Sequence, residues 1–294
     1  MSTESNKINI AIQGVAGCFH DQAARQYFAD RDVNPVECET FEALVDSVSG
    51  TPGMSAMMAI ENTIAGPLLR NHELLRQAQG VSIVGEHKMR ISHCLAALPG
   101  QKIADIAQVN SHSMALMQCD EFLTSPRAPH WRMVEVFDTA GAARQIALEK
   151  LEGQAAICSS WAARLYGLEV LAPAIETNKH NFTRFLVISS QTTAPQHFAT
   201  QSAERPNKAS FVFSLPHTQG ALSSVLAILS FYGMNLSKIQ SLPIVGREWE
   251  YRFYIDVTFS DYSRYRAATA AVLPLLGDFK LLGEYTDSPT PSIS

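Results

Sequence analysis

The sequence predicts an α/β protein with a second, smaller domain of βαββαβ plan. Three observations predict it. Short β-branched, apolar runs alternate with segments of helical spacing up to about residue 190, the pattern of an α/β domain with a largely parallel sheet. Residues 191–207 (QTTAPQHFATQSAERPN) then turn polar, contain Pro195 and Pro206, and lose periodicity, so they read as a linker. Beyond them the order of elements changes to strand, helix, strand, strand, helix, strand.

The elements follow in order. INIAIQ at residues 8–13 is a strand, interrupted by Gly14, and helical spacing runs from about Asp21 to Ala29. MSAMMAIE ends at Glu61, and a helix is expected over Pro67 to Ala78, with Leu68, Leu69, Leu74 and Leu75 on its apolar side. VSIVGE, MVEVFD and QAAICS read as further strands; SMALMQCDEFL, TAGAARQIALEKL and SWAARLYGL read as helices. VLAPAI and TRFLVISS close the region near Ser190. In the second region ASFVFSLP, LSKIQSLPIV, YRFYIDVTF and KLLGEY are strands, while ALSSVLAILSFY and the stretch from Tyr262 to Leu276 are helical. The domain boundaries expected are therefore 1–190, a linker over 191–207, and 208–286.

Composition narrows the function classes. The 294 residues are 46% hydrophobic and 17% charged, with a net charge of -5. No basic run stands out, which argues against nucleic acid as a partner. No apolar stretch is long enough for a membrane span, and no apolar segment follows Met1–Lys7, so a cytoplasmic protein is expected. The five cysteines, Cys18, Cys38, Cys94, Cys119 and Cys158, lack Cys-x-x-Cys spacing. They read as reduced, buried thiols, with no metal site.

Candidate chemistry lies at strand ends, where open α/β sheets place ligands. Gly14–Gly17 joins a strand to a helix; it is either a tight turn or an anion site of backbone N–H groups. Glu61, Asn62 and Thr63 end a strand before a helix, as capping residues often do. Asn62 nevertheless offers both a donor and an acceptor. Ser111 reads first as a helix cap, Gln118 as a solvated helix residue, and Thr183 as an ordinary strand residue. Arg184 is either a surface charge or a carboxylate clamp. His87 and His93 flank a strand-like run and read as structural. No G-x-S-x-G, Walker or H-E-x-x-H motif is present, and the His and acidic residues do not fall at metal-ligand spacing.

The order of these clusters resembles the prephenate dehydratase family over nearly the whole chain. A-I-E-N-T-I-A-G at 59–66, S-H-S-M-A-L-M-Q-C at 111–119, A-A-I-C-S-S-W-A-A-R-L-Y-G-L at 155–168 and N-F-T-R-F at 181–185 resemble four family motifs in the right sequence. The resemblance implies a catalytic module of two α/β subdomains, like type-2 periplasmic binding proteins, followed by an ACT domain. It implies cofactor-free conversion of prephenate to phenylpyruvate, with arogenate as the alternative substrate. A non-catalytic small-ligand sensor is a further alternative. Thr183 is implied as the key catalytic residue, and Glu61, Asn62 and Gln118 match active-site positions. Ser111, Arg184, Phe185 and Gly17 are expected to contact substrate. In the ACT domain, Gly220, Ala221 and Leu222, with Gln240 and Ser241, are expected to hold phenylalanine as feedback inhibitor between paired chains, in a homodimer or homotetramer.

The chain departs from the family pattern in three places. The first loop reads G-V-A-G-C-F-H, with Cys18 in place of a hydroxyl residue and His20 where serine is usual. His112-Ser113-Met114 replaces an H-P-Q step, and Gln240-Ser241-Leu242-Pro243 replaces E-S-R-P, which removes two charges.

Overall fold

The computed structural model describes residues 7–125, 130–190 and 205–289. The strands in chain order are β1 (Lys7–Gln13), β2 (Asp32–Cys38), β3 (Ser55–Asn62), β4 (Gly66–Pro67), β5 (Val81–Arg90), β6 (Cys94–Ala97), β7 (Gln108–Ser111), β8 (Arg132–Glu135), β9 (Gln154–Cys158), β10 (Glu169–Ala172), β11 (Phe182–Ser190), β12 (Lys208–Ser214), β13 (Asn235–Pro243), β14 (Tyr251–Thr258) and β15 (Gly277–Tyr285).

The first lobe is built on a sheet of order β2-β1-β3-β11-β5, with β4 paired to β3. The second lobe is built on a sheet of order β10-β6-β9-β7-β8. The chain enters the second lobe between β5 and β6 and returns between β10 and β11, so two short segments, 91–93 and 173–181, join the lobes. The expectation of a largely parallel sheet needs correction: both sheets are mixed. In the first, β1 runs parallel to β2 and β3, but β11 is antiparallel to β3 and β5. In the second, β7 is parallel to β8 and β9, while β6 is antiparallel to β9 and β10. The cause is the connectivity. β11 arrives from the other lobe, so no helical crossover within its own sheet dictates a parallel direction.

Strand β2 has no counterpart in the sequence reading. Its DVNPVEC run carries Pro35 and no clean alternation, which is tolerated because β2 is the edge strand of its sheet. The helix Phe41–Gly50, capped by the Thr40 side chain, was likewise not anticipated.

One apolar core crosses the two lobes. Ile8, Ile10 and Ile12 of β1 join Ala140, Ala143 and Ile146 of the helix Thr139–Glu149 and Ala162 of the helix Ser160–Leu165. A second core joins the first lobe to the C-terminal domain, through Ala11, Met58, Ile60 and Leu186 on one side and Val212, Tyr254, Leu282 and Tyr285 on the other. The C-terminal sheet has the order β13-β14-β12-β15, all antiparallel, with helices Ala221–Phe231 and Tyr262–Val272 as its crossovers. This is the ferredoxin-like arrangement.

Docking of that domain depends on a close backbone approach. A Cβ on Gly283 of β15 would stand 2.1 Å from the Ile83 carbonyl oxygen of β5, so only glycine lets the two strands lie this near. Lys280 reinforces the contact by donating to the carbonyls of Leu75, Arg76 and Ala78 at the C-terminal end of helix Leu69–Gln77. No helix among the described residues is long and apolar enough to cross a membrane.

Candidate active site

The connections between the lobes carry a chain of amides that ends on a threonine. Its polarity can be assigned from the backbone. The Asn62 Oδ1 accepts from the backbone N–H groups of Ile64 (2.9 Å) and Ala65 (2.8 Å), in the turn between β3 and β4. Backbone N–H groups only donate, so the other end of this amide is its NH2. That NH2 donates to Asn181 Oδ1 (2.7 Å), the Phe182 carbonyl (3.1 Å) and Thr183 Oγ1 (3.0 Å). Asn181, fully buried, then donates its own NH2 to Gln118 Oε1 at 3.0 Å. The same Gln118 oxygen meets His93 Nε2 at 3.0 Å.

Two donors are left over. Thr183 Oγ1 already accepts from Asn62, so its O–H proton is free to point elsewhere. Gln118 Oε1 is occupied, and the Gln118 NH2 has no hydrogen-bond partner among the described residues. Thr183 is 8% exposed and lines a cavity of about 280 Å³ at the rim of the first-lobe sheet, with Glu61, Asn62, Thr63, Gly66, Pro67, Lys88, Phe182 and Arg184. That volume lies near the lower end of small-molecule sites, which run from roughly 300 Å³ upward.

Strand pleating separates the other expected site residues from this cluster. Thr183 pairs with Asn62 and Arg184 with Glu61, so the second pair faces away from the first. Arg184 also lines the cavity, but its guanidinium is committed to the C-terminal domain and to β5. Nε binds Glu86 (2.7 Å), Nη1 binds Asp256 (2.5 Å) and Nη2 binds the Tyr285 hydroxyl (3.0 Å). The Arg184 guanidinium, expected to meet a substrate carboxylate, is thus partnered by carboxylates of the protein itself. Glu61 pairs with Lys238 of β13 and lies 3.6 Å from Arg184, so it too belongs to the domain junction rather than to the amide chain.

The junction is an ionic lattice. Glu61, Glu86, Lys88 and Arg184 of the first lobe meet Lys208, Lys238, Asp256 and Asp287 of the C-terminal domain, four cations against four anions. Burial alone would raise the Glu61 and Asp256 carboxyls. Lys238 and Arg184 for Glu61, and Arg184 with the Ser210 hydroxyl for Asp256, outweigh it and hold both below their ordinary values.

Three further residues expected to contact substrate are buried or partnered within the protein. Phe185 is 1% exposed and sits in the core across the lobes, edge-on to His20. Ser111 is fully buried and donates its hydroxyl to the Ile157 carbonyl at 2.7 Å, while His112, not Ser111, caps the following helix. Gly17 packs against Ala162, and its N–H is taken by Asp21. The loop's neighbouring N–H groups are filled likewise, Val15 by Asp138 and Ala16 by Glu37. The protein's own carboxylates thus occupy the N–H groups that an anion would need. Cys18 and His20 are both partnered within the protein: the thiol meets the Gln13 carbonyl, and burial lowers His20 to about 4, leaving a neutral ring that accepts from the Ala59 N–H.

In the C-terminal domain, Gly220 caps the helix Ala221–Phe231 from a left-handed conformation, with Ala221 and Leu222 in its first turn. Gln240 and Ser241 are adjacent on β13 and so face opposite sides of that sheet. Gln240 shares its side with Lys238 and Leu242, and Leu242 packs into the core shared with the first lobe. The apolar residue at 242 therefore has a packing role.

Sequence reasoning missed two members of the amide chain. Asn181 stood inside the N-F-T-R-F motif without a role of its own. His93 was read as structural, and only its partner, 25 residues away in sequence, reveals its contact.

The fold and site together define a two-lobed α/β ligand-cleft module with an appended ferredoxin-like domain. The family model described as prephenate dehydratase matches residues 10–193, more than half of the chain, and the chain belongs to that family. Among curated relatives, Arogenate dehydratase 2 of Petunia hybrida is 38% identical over 244 residues, covering 83% of this chain and 59% of the relative. The chain thus spans about three fifths of that relative's length. Among solved structures, the prephenate dehydratase of Arthrobacter aurescens in complex with L-Phe superposes with a TM-score of 0.79 at 28% identity, covering 97% of this chain and 92% of that one. A structure described as GqqA, a novel type of quorum quenching acylase, gives a TM-score of 0.81 at 31% identity, covering 96% and 98%.

Proposed function

We propose that the chain catalyses the decarboxylative dehydration of prephenate to phenylpyruvate, as a phenylalanine-regulated enzyme of aromatic amino-acid biosynthesis. The observation that carries this reading is the orientation of Thr183. Its oxygen accepts from the Asn62 NH2, and its proton is left to donate. In the reaction the bond to the ring carboxylate breaks, and its electron pair becomes part of the aromatic ring. The ring hydroxyl departs with the electrons of its C–O bond, and a solvent proton completes water. Aromatisation drives the step, so no electron sink is required. A threonine hydroxyl is a weak acid, so its role is a positioned hydrogen bond to the leaving oxygen. Gln118 offers the second free donor, and Asn62 acts through Thr183.

The same geometry disfavours acyl transfer. Thr183 is held by an amide N–H, and among the described residues no imidazole or carboxylate is bonded to its hydroxyl to activate it as a nucleophile. Arogenate, which differs from prephenate in the amino group of its side chain, remains the alternative substrate. Incubation with each compound, following phenylpyruvate and phenylalanine, tests the proposal; turnover of neither would overturn it.

We further propose catalytic, linker and regulatory boundaries of 1–190, 191–207 and 208–286, with the last an ACT domain that binds phenylalanine between paired chains of a homodimer or homotetramer. Most of the proposed linker lies outside the described residues. The likeness to the Arthrobacter relative, solved in complex with L-Phe, supports the effector class. Calorimetry with inhibition curves tests it, and neither heat nor inhibition at millimolar phenylalanine would refute it. The five free, buried thiols fit a reducing, cytoplasmic compartment.

A further inference from the structure

We infer that His93 is a positioning residue of the active site, acting through Gln118 as a neutral imidazole that carries its proton on Nε2. The inference rests on the proposed function for its kinetic consequence, but its geometry stands on the hydrogen bonds alone.

The backbone of residues 64 and 65 fixes the Asn62 amide, Asn62 fixes Asn181, and Asn181 fixes Gln118. At the end of this sequence the Gln118 oxygen faces His93 Nε2, and an oxygen can only accept. His93 must therefore donate from Nε2. Its other nitrogen, Nδ1, is buried without a hydrogen-bond partner among the described residues. A proton there would be an unsatisfied buried donor, so the neutral ring with a bare Nδ1 is the favoured form. Burial acts in the same direction by lowering the ring's affinity for a second proton.

His93 is well placed to impose this order. It is 2% exposed, edge-on to Phe19 with ring centroids 5.2 Å apart. It sits on the first of the two segments that join the lobes, and Asn181 sits on the second. Glu176, also buried, holds the two segments together by accepting from the His93 N–H, Ser92 and Arg90. Both segments thus converge on Gln118 Oε1, which fixes the Gln118 NH2 at the opposite end of the amide. Without the imidazole donor, the Gln118 amide loses half of what fixes its orientation and can rotate its oxygen toward the substrate, exchanging a donor for an acceptor.

The test combines kinetics with a measurement that needs no turnover. His93→Leu removes the donor and keeps apolar bulk; kcat should fall about 5- to 100-fold, the range for leaving one buried polar partner unmatched, with KM changed less. His93→Gln, which can return an N–H near the position of Nε2, should recover most of that loss. In a Gln118→Ala background, His93→Leu should lower kcat less than twofold further, because its effect passes through Gln118. Full multiplication of the two losses would overturn the inference. Proton–nitrogen correlation spectra of the His93 ring should show the proton on Nε2 and a bare Nδ1; the opposite tautomer or a charged ring would overturn it too. If the parent protein turned over neither prephenate nor arogenate, the proposed function would fall, and the ring spectra alone would decide the state of His93.

Discussion

Replacing Asp256 with asparagine removes one charge from the junction between the catalytic lobe and the C-terminal domain while leaving the shape nearly unchanged. The Arg184 guanidinium would lose the charge of its partner at 2.5 Å and keep Glu86 at 2.7 Å and Glu61 at 3.6 Å. Both the Arg184 and Asp256 side chains are less than a tenth exposed, at 7% and 8%. Removing one partner of such a buried pair costs about 3–5 kcal/mol, because the other charge stays buried. The retained Glu86 places the expected loss near the bottom of that range, at about 3 kcal/mol. Each kcal/mol lowers the melting temperature by about 2–4 °C in a chain somewhat smaller than this one, so a drop of roughly 6–12 °C is expected. Denaturant unfolding and calorimetry would measure it. Arg184→Met in the Asp256→Asn background should then destabilise less than it does alone, since the uncompensated charge is gone. Asp287→Asn, at the half-exposed rim of the same lattice, should have a smaller effect. A loss under about 1 kcal/mol for Asp256→Asn, the size of an exposed ion pair, would refute the lattice as a structural element.

Thr183→Ala should fold like the parent but lose about 10²–10⁴-fold in kcat, the range for one positioned acid, while Thr183→Ser should retain more; activity within a few-fold of the parent would remove Thr183 from its role. Stability should fall in acid. Glu61 and Asp256 are held below their ordinary values in the folded state, so their contribution is present above the unfolded carboxyl range near pH 4 and is lost as pH falls through the folded values. Glu73, lowered to about 2 first by its hydrogen bonds from Arg76 and also by one from Tyr254 of the C-terminal domain, adds to the same trend. A melting temperature that rose between pH 5 and pH 3 would contradict this. Gly283→Ala should push β15 from β5, because the new Cβ would overlap the Ile83 carbonyl; thermal unfolding and hydrogen exchange at β5 would report it, and an unchanged stability would disprove the close approach.

Much of the molecule was legible in the sequence, because periodicity and chain order are local properties. The βαββαβ order of the C-terminal region and most strands of the two lobes followed from apolar spacing, and the four motifs identified the family. Thr183, Asn62 and Gln118 were named from motifs, and the structure brings them together through Asn181. Strand β2 and the helix after it were missed, since Pro35 and mixed polarity disguise an edge strand.

What tertiary structure alone decided is where adjacent side chains point and what lies opposite them. Thr183 and Arg184 are neighbours in sequence, yet the pleat sends one toward the amide chain and the other into the ionic lattice. Glu61 and Asn62 divide in the same way. The sequence holds no sign that Asp256, 72 residues beyond Arg184, would neutralise it, or that His93 would set the polarity of Gln118. Motifs record which residue types a site needs. Hydrogen-bond direction, the filling of the Val15 N–H by the Asp138 carboxylate, and the neutralisation of buried charge depend on partners distant in the chain, and only folding brings those within 3 Å.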